Sequence, residues 1–309
     1  AEEQKKTEDQ NNTNNQTNTD TQTQTNTNMS DKLTNMTVRA FTGVLFVTIM
    51  VTCFFQPVAM VFLFALITCL SLWEYSGLVN NIEDVTINRF ISTVAGVYLF
   101  LAISAVNSGF VQTNAVFMPY LLTIIYLFVS ELYTKNKNAV HDLSYTMLGQ
   151  MYVALPLSMI NVLAFRTATD GNIHFYYLLP LSVFIFLWTS DTGAYCVGSL
   201  FGKHKLFPRI SPAKSWEGSI GGGVLVLVAA FLVSLLDQNH GNLSGLNTLQ
   251  WLGLGLVVTV FGTWGDLVES LLKRTLGVKD SGNILPGHGG MLDRFDSSLL
   301  AIPAAVVYL

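Results

Sequence analysis

Apolar residues run through this chain in long blocks separated by short polar stretches, at about 38–55, 57–79, 89–107, 110–130, 143–165, 175–200, 219–236, 248–272 and 297–309. A helix needs about 20 predominantly apolar residues to cross a bilayer core. The pattern therefore predicts an all-α, polytopic helical membrane protein with about nine transmembrane segments. The last block is short, so the chain is expected to stop inside its final segment. The first 28 residues are a different polymer. The run "QNNTNNQTNTDTQTQTNTN" has no apolar residue and cannot bury enough surface to offset its ordering entropy. Without the apolar core of a signal peptide, it reads as a disordered tail ahead of Met29, a candidate start. Three regions follow: an Asn/Thr/Gln-rich tail at 1–36, N-terminal transmembrane helices at 37–170, and a C-terminal transmembrane region at 171–309 that carries the chemistry.

Composition agrees with the membrane reading. The 309 residues are 50% hydrophobic and only 12% charged, about half the charged fraction of a soluble domain. Charge placement then orients the chain. With the N-terminus in the cytoplasm, Arg166 is the one residue among the sixteen lysines and arginines to fall outside. A segment miscounted in the middle would invert every later loop and spoil that asymmetry. The N-terminus and the polar stretch at 279–296 are thus expected on the cytoplasmic side. Cys53, Cys69 and Cys196 lie in apolar runs without C-x-x-C spacing and read as small core residues.

Ionisable residues are sparse in the first five segments. Glu74, in "SLWEYSGL", sits near a cytoplasmic helix end beside Trp73 and Tyr75, and interfacial placement accounts for it. The second half differs. "WTSDTGAYCVGSLFGK" puts Asp191 inside an apolar run, where a carboxylate costs on the order of 2.5–3.5 kcal/mol and should face protein, water or a cation. Tyr195 and Gly198 share its helical face; a packing helix with one polar contact is the plainer account. In "KHKLFPRISPAKSWEGSIGGG", residues 203–223, a positive-inside loop explains the charge. It does not explain the sequel, in which Ser215 can cap the next helix and free N–H groups beside Lys214 suit a phosphate.

The densest arrangement is "GDLVESLLKRTLGVKDSGNILPGHGGMLDRFD", residues 265–296. Asp266, Glu269, Ser270 and Lys273 have the spacing of one helical stripe, and Arg274 extends it. Acidic residues deeper in the membrane and basic residues nearer its surface would hold a cation and a polyphosphate in that order. A salt-bridge network alone would not need Gly287, His288, Gly289 and Gly290 between its charged clusters. Lys214, Lys273, Arg274, Lys279 and Arg294 are candidate phosphate contacts, and Asp191 is a candidate third acidic member. His288 would donate to a phosphate or order the loop.

The run Ser270-Leu-Leu-Lys273-Arg274, then Lys279-Asp280, then Pro286-Gly-His288-Gly289-Gly290-Met-Leu-Asp293-Arg294-Phe-Asp296 resembles the signature of phosphatidate cytidylyltransferases, or CDP-diacylglycerol synthases. "SDTGAY" and "SPAKSWEG" are similar to two further blocks of that family, with Ala213 and Ser215 where many relatives carry Lys and Thr. The resemblance covers roughly residues 185–300. It implies that CTP and phosphatidate give CDP-diacylglycerol and pyrophosphate, with Mg²⁺ required and a second cation left open. It also implies a metal centre at Asp266 and Asp293, a polar cavity facing the cytoplasm in the C-terminal half, and a homodimer. Catalysis would then rest on Asp266, Asp293, Lys273 and Asp191. CTP and phosphate contacts would come from Lys214, Ser270, Arg274, Lys279, His288, Gly289, Gly290 and Arg294. The partners are CTP, phosphatidate and membrane lipid, with no nucleic acid, in a bacterial inner membrane.

Two other readings stand beside it. A polyprenol or lipid kinase-type phosphotransferase shares parts of these blocks. An ion-coupled transporter using Asp191 and Asp266 would spread polar residues through both halves as repeats, which the sequence does not do. Neither a P-loop nor an H-E-x-x-H motif occurs.

Overall fold

The structure is a computed structural model that describes residues 42–134, 138–167, 171–278, 280–282, 284 and 289–309. The tail expected at 1–36, and the candidate residues Lys279 and His288, lie outside the described residues. The chain divides into two units, Ala1–Thr48 with Leu285–His288, and Ile49–Ile284 with Gly289–Leu309. Of the first, the described part is the start of helix α1 (Thr42–Phe54). The second unit holds the rest of the described residues.

That unit is mostly helical. After α1 come α2 (Pro57–Val79), α3 (Arg89–Asn107), α4 (Met118–Glu131) and α5 (Ala139–Gly149). A π-helical turn at Gln150–Ala154 leads into the short helices α6 (Leu155–Ser158) and α7 (Ile160–Ala164). Then follow α8 (Leu178–Phe201), α9 (Trp216–Asn239), α10 (Thr248–Thr275) and α11 (Leu292–Tyr308). Two small antiparallel hairpins interrupt them: β1 (Phe165–Thr167) with β2 (Ile173–Phe175), and β3 (Lys205–Phe207) with β4 (Ser211–Ser215).

Helix starts follow local chemistry. Pro57 opens α2, where its missing N–H costs nothing. Asn247 and Gln250 form a reciprocal capping box on α10. Ser215 caps α9 as expected, its hydroxyl accepting the Gly218 N–H at 3.2 Å.

Among the described residues, six helical stretches are long and apolar enough to cross a membrane: Pro57–Val79, Arg89–Asn107, Asn114–Glu131, Ala139–Ala164, Trp216–Asn239 and Thr248–Thr275. They correspond to six of the nine predicted runs. The other three runs form α1, α8 and α11. Of these, α1 and α11 are shorter, and α8 carries the polar run Thr189–Thr192 through its middle.

Two kinds of packing position the site. An aromatic cluster of Phe54, Phe64, Phe184 and Phe295, with ring centroids 5.6 to 6.1 Å apart, ties α2 and α8 to the start of α11. Each such pair contributes about 0.5–1.5 kcal/mol beyond simple burial. Elsewhere glycine lets backbones touch. A Cβ at Gly222 of α9 would lie 2.6 Å from the Ser190 carbonyl oxygen of α8. One at Gly265 of α10 would lie 2.7 Å from the Asp296 carbonyl of α11. Small residues at these crossings bring the polar segments of α8, α9, α10 and α11 together.

Candidate active site

The stripe expected on α10 forms. The helix continues unbroken to Thr275, so residues four apart meet on one face. Ser270 Oγ donates to Asp266 Oδ1 at 3.1 Å, and Lys273 Nζ lies 2.8 Å from Glu269 Oε2. Two contacts from outside the helix complete it. The β3–β4 hairpin delivers Lys214 to an ion pair with Asp266. The first turn of α11 delivers Asp293, whose Oδ1 accepts from Lys273 Nζ at 2.8 Å.

Asp293 is the most connected carboxylate of this cluster. Its Oδ2 accepts the Ser281 N–H at 2.8 Å and the Gly290 N–H at 3.0 Å. It precedes the apolar run of α11. Burial opposes its ionisation, but Lys273 and the two backbone donors outweigh that and hold its carboxyl below the usual carboxylate range. Gly289 adopts a φ of +80°, and a Cβ there would press on Asp293 Oδ2, so the glycine lets the loop wrap this carboxylate.

Asp191 lines a cavity of about 330 Å³ with Ser190, Tyr195, Lys214, Ser219 and Thr263. It lies within electrostatic reach of Lys214 and Asp266. Asp296 interacts with Asp266, Asp191 and Lys273, and Glu269 with Asp296 and Asp293. Five carboxyl groups thus gather around two lysines. A larger apolar cavity of about 580 Å³ shares Ser219 and Thr263 with the first and is lined by Trp216, Ile220, Val224, Leu256, Val260 and Trp264.

The cluster suits a hard divalent cation. Its donors are carboxylate oxygens, the ligand type Mg²⁺ prefers. Glu269 is fully buried, and its Oε1 has no hydrogen-bond partner among the described residues. The carboxylates are nonetheless paired with lysines, and no group of three or more His, Cys, Asp or Glu among the described residues is drawn together as a metal site.

Other expected contacts are placed more loosely. Arg274 and Arg294 are exposed, and no ion pair holds either among the described residues. Gly290 packs against Ser281 and Glu74, so it makes room for the protein's own side chains.

The interfacial reading of Glu74 is corrected by the structure. Its side chain belongs to a residue only 5% exposed, and Oε2 accepts the Leu292 N–H at 2.9 Å. Tyr152 carries no signal in the sequence. The π-helical turn holds it, and its hydroxyl is buried without a hydrogen-bond partner among the described residues, within electrostatic reach of Glu269, Asp296 and Asp266. Nothing in a single sequence announces a π turn. Glu74 did have a signal, a carboxylate inside an apolar run.

Comparison with known proteins shows the family. Residues 37–309 match the sequence model of the Cytidylyltransferase family. The chain belongs to that family. It is similar to the phosphatidate cytidylyltransferase of Staphylococcus aureus strain COL, with 33% identity over 275 residues, 89% of this chain and 99% of the relative. The phosphatidate cytidylyltransferase of Staphylococcus haemolyticus strain JCSC1435 is 34% identical over 278 residues, and that of Staphylococcus epidermidis strain RP62A 32% over 277, with the same shares covered. Family membership makes this chain a nucleotidyltransferase.

Proposed function

We propose that this protein converts CTP and phosphatidate to CDP-diacylglycerol and pyrophosphate within a bacterial plasma membrane. The observation that carries the reading is the cluster of Asp191, Asp266, Glu269, Asp293 and Asp296 around Lys214 and Lys273, in a chain whose family match runs through it. A phosphate oxygen of the lipid attacks the α-phosphorus of CTP, a new P–O bond forms, and the α–β bridging bond breaks with its electron pair leaving on pyrophosphate. The nucleophile is already anionic, so alignment and charge neutralisation matter more than a strong base.

Lys214 lines the polar cavity and is about a quarter exposed, which suits it to a triphosphate contact. Lys273 is held by Glu269 and Asp293 and keeps positive charge fixed beneath the reacting groups. Arg274 and Arg294, in no ion pair among the described residues, offer guanidinium groups for phosphate, with Ser270 holding Asp266 in place. The apolar cavity beside the polar one fits the acyl chains of a lipid whose headgroup sits between Ser219 and Thr263. Asp266 and Asp293, with Asp191 near, would hold Mg²⁺, which neutralises phosphate charge and aligns the two substrates when bound. The placement of basic residues supports a cytoplasmic side for the cavity and the N-terminus, in a protein of about nine segments. A homodimer is part of the same reading.

Purified protein in lipid nanodiscs with Mg²⁺, labelled CTP and phosphatidate is expected to release pyrophosphate and form a labelled liponucleotide. Equal or faster turnover of polyprenol would overturn the assignment in favour of a polyprenol kinase-type enzyme. Chelation of Mg²⁺ is expected to abolish turnover, and the mass of the detergent-solubilised particle tests the dimer.

A further inference from the structure

Glu74 is a buried carboxylate that the reaction as described above does not use. Its place on α2 is braced on both sides. The neighbouring Trp73 carbonyl accepts from Arg89 Nε at 2.8 Å, and the Arg89 guanidinium lies 4.0 Å from the Trp73 ring centroid. Tyr75 donates its hydroxyl to the Tyr145 carbonyl at 2.9 Å. Between these anchors the Glu74 carboxylate is directed at the signature loop. Oε2 accepts the Leu292 N–H at 2.9 Å and the Ser281 hydroxyl at 3.3 Å.

Among the described residues no lysine or arginine forms an ion pair with Glu74, and Oε1 has no hydrogen-bond partner. A buried carboxylate left in that condition is costly and persists only where the surrounding structure enforces it. The loop is built around it. A Cβ at Gly282 would lie 2.6 Å from Oε1, and one at Gly290 would lie 2.5 Å from Oε2.

Ser281 connects this carboxylate to the site. Its N–H donates to Asp293 Oδ2 at 2.8 Å, and its Oγ accepts the Asp293 N–H at 3.3 Å. The same hydroxyl donates to Glu74, and the N–H of Leu292, also bound by Glu74, immediately precedes Asp293 in the chain. We propose that Glu74 is a positioning residue for the transfer reaction: it fixes Ser281 and the first turn of α11, and through them the carboxylate of Asp293. The inference rests on the reading of Asp293 as part of the cytidylyl-transfer site. It assigns α2, far from the signature in sequence, a part in the reaction beyond membrane packing.

The test uses the full chain in nanodiscs, with kcat, KM for CTP, KM for phosphatidate and thermal melting measured for Glu74→Gln, Ser281→Ala and the double variant. Glu74→Gln is expected to lower kcat about 10- to 100-fold with both KM values within about threefold, because misplacing an alignment group acts on the chemical step. Ser281→Ala is expected to lower kcat about fivefold. The double variant is expected within about twofold of Glu74→Gln, since both substitutions break one link. A Glu74→Gln enzyme that melts earlier but keeps kcat within about twofold shows a purely structural tie and overturns the proposal. If Glu74→Gln does not fold, Ser281→Ala decides, and an unchanged kcat there overturns it equally. A wild-type chain inactive on CTP and phosphatidate overturns the reaction itself and this inference with it. An active wild type with an unaffected Glu74→Gln overturns this inference alone.

Discussion

Lys214 and Lys273 each pair with an acidic residue of α10, yet the two ion-pair nodes differ in kind. The Lys214–Asp266 pair is about a quarter exposed and opens on the polar cavity beside Asp191. The Lys273 node is closed: its lysine side chain is 16% exposed, against 0% for Glu269 and 7% for Asp293. Screening weakens an exposed pair, while a desolvated one interacts far more strongly and suffers more when one partner is removed. The open node is therefore the one whose lysine can exchange a carboxylate for a phosphate at low cost. The closed node is a fixed frame that sets where Asp293 stands.

That contrast can be broken at its strongest point first. Lys273→Ala leaves Glu269 and Asp293 without their shared cation, and is expected to cost about 3–5 kcal/mol of stability along with nearly all activity. Thermal melting and transferase assays on the same preparation would show it, and a stable, active variant would mean that the closed node is no frame. Asp293→Asn comes next, with an expected loss of at least about 100-fold in kcat and a smaller change in melting, because the amide keeps the shape and loses the charge. Lys214→Ala sharpens the comparison from the other side. Stability is expected to shift by less than about 1 kcal/mol, while KM for CTP rises about tenfold. Should Lys214→Ala destabilise as much as Lys273→Ala, the distinction between the nodes fails. The smallest effect is expected at Ser270→Ala, which removes one hydrogen bond to Asp266 and should lower kcat/KM about two- to fivefold.

Local geometry was legible in the sequence wherever the partners are close along the chain. The spacing of Asp266, Glu269, Ser270 and Lys273 foretold a stripe, and the bonds between residues 266 and 270 and between 269 and 273 are its realisation. Ser215 was readable as a cap for the same reason, since donor and acceptor are three residues apart. Among the described residues, six of the nine apolar runs are helices fit to span a membrane, but α8 mixes its polar run with its apolar one, so hydropathy alone does not decide its character. Glu74 marks the limit of that local logic. Its aromatic neighbours suggest an interfacial place, whereas its partners Ser281 and Leu292 lie 207 and 218 residues away. Likewise the glycines of the signature loop suggested room for phosphate. The structure shows Gly289 and Gly290 making room for Asp293 and for Glu74 and Ser281.

Read alone, the chain tells where most of the long helices run, which face of α10 is charged, and which family signature the C-terminal half carries. Those properties depend on residues a few positions apart, whose relations the helical repeat dictates. It takes the folded chain to show that Lys214 meets Asp266, that Lys273 is shared between Glu269 and Asp293, and that α2 reaches the signature loop through Glu74. Those pairings depend on how closely helices approach, and glycines such as Gly222 and Gly265 set that distance in ways no periodicity along one chain encodes.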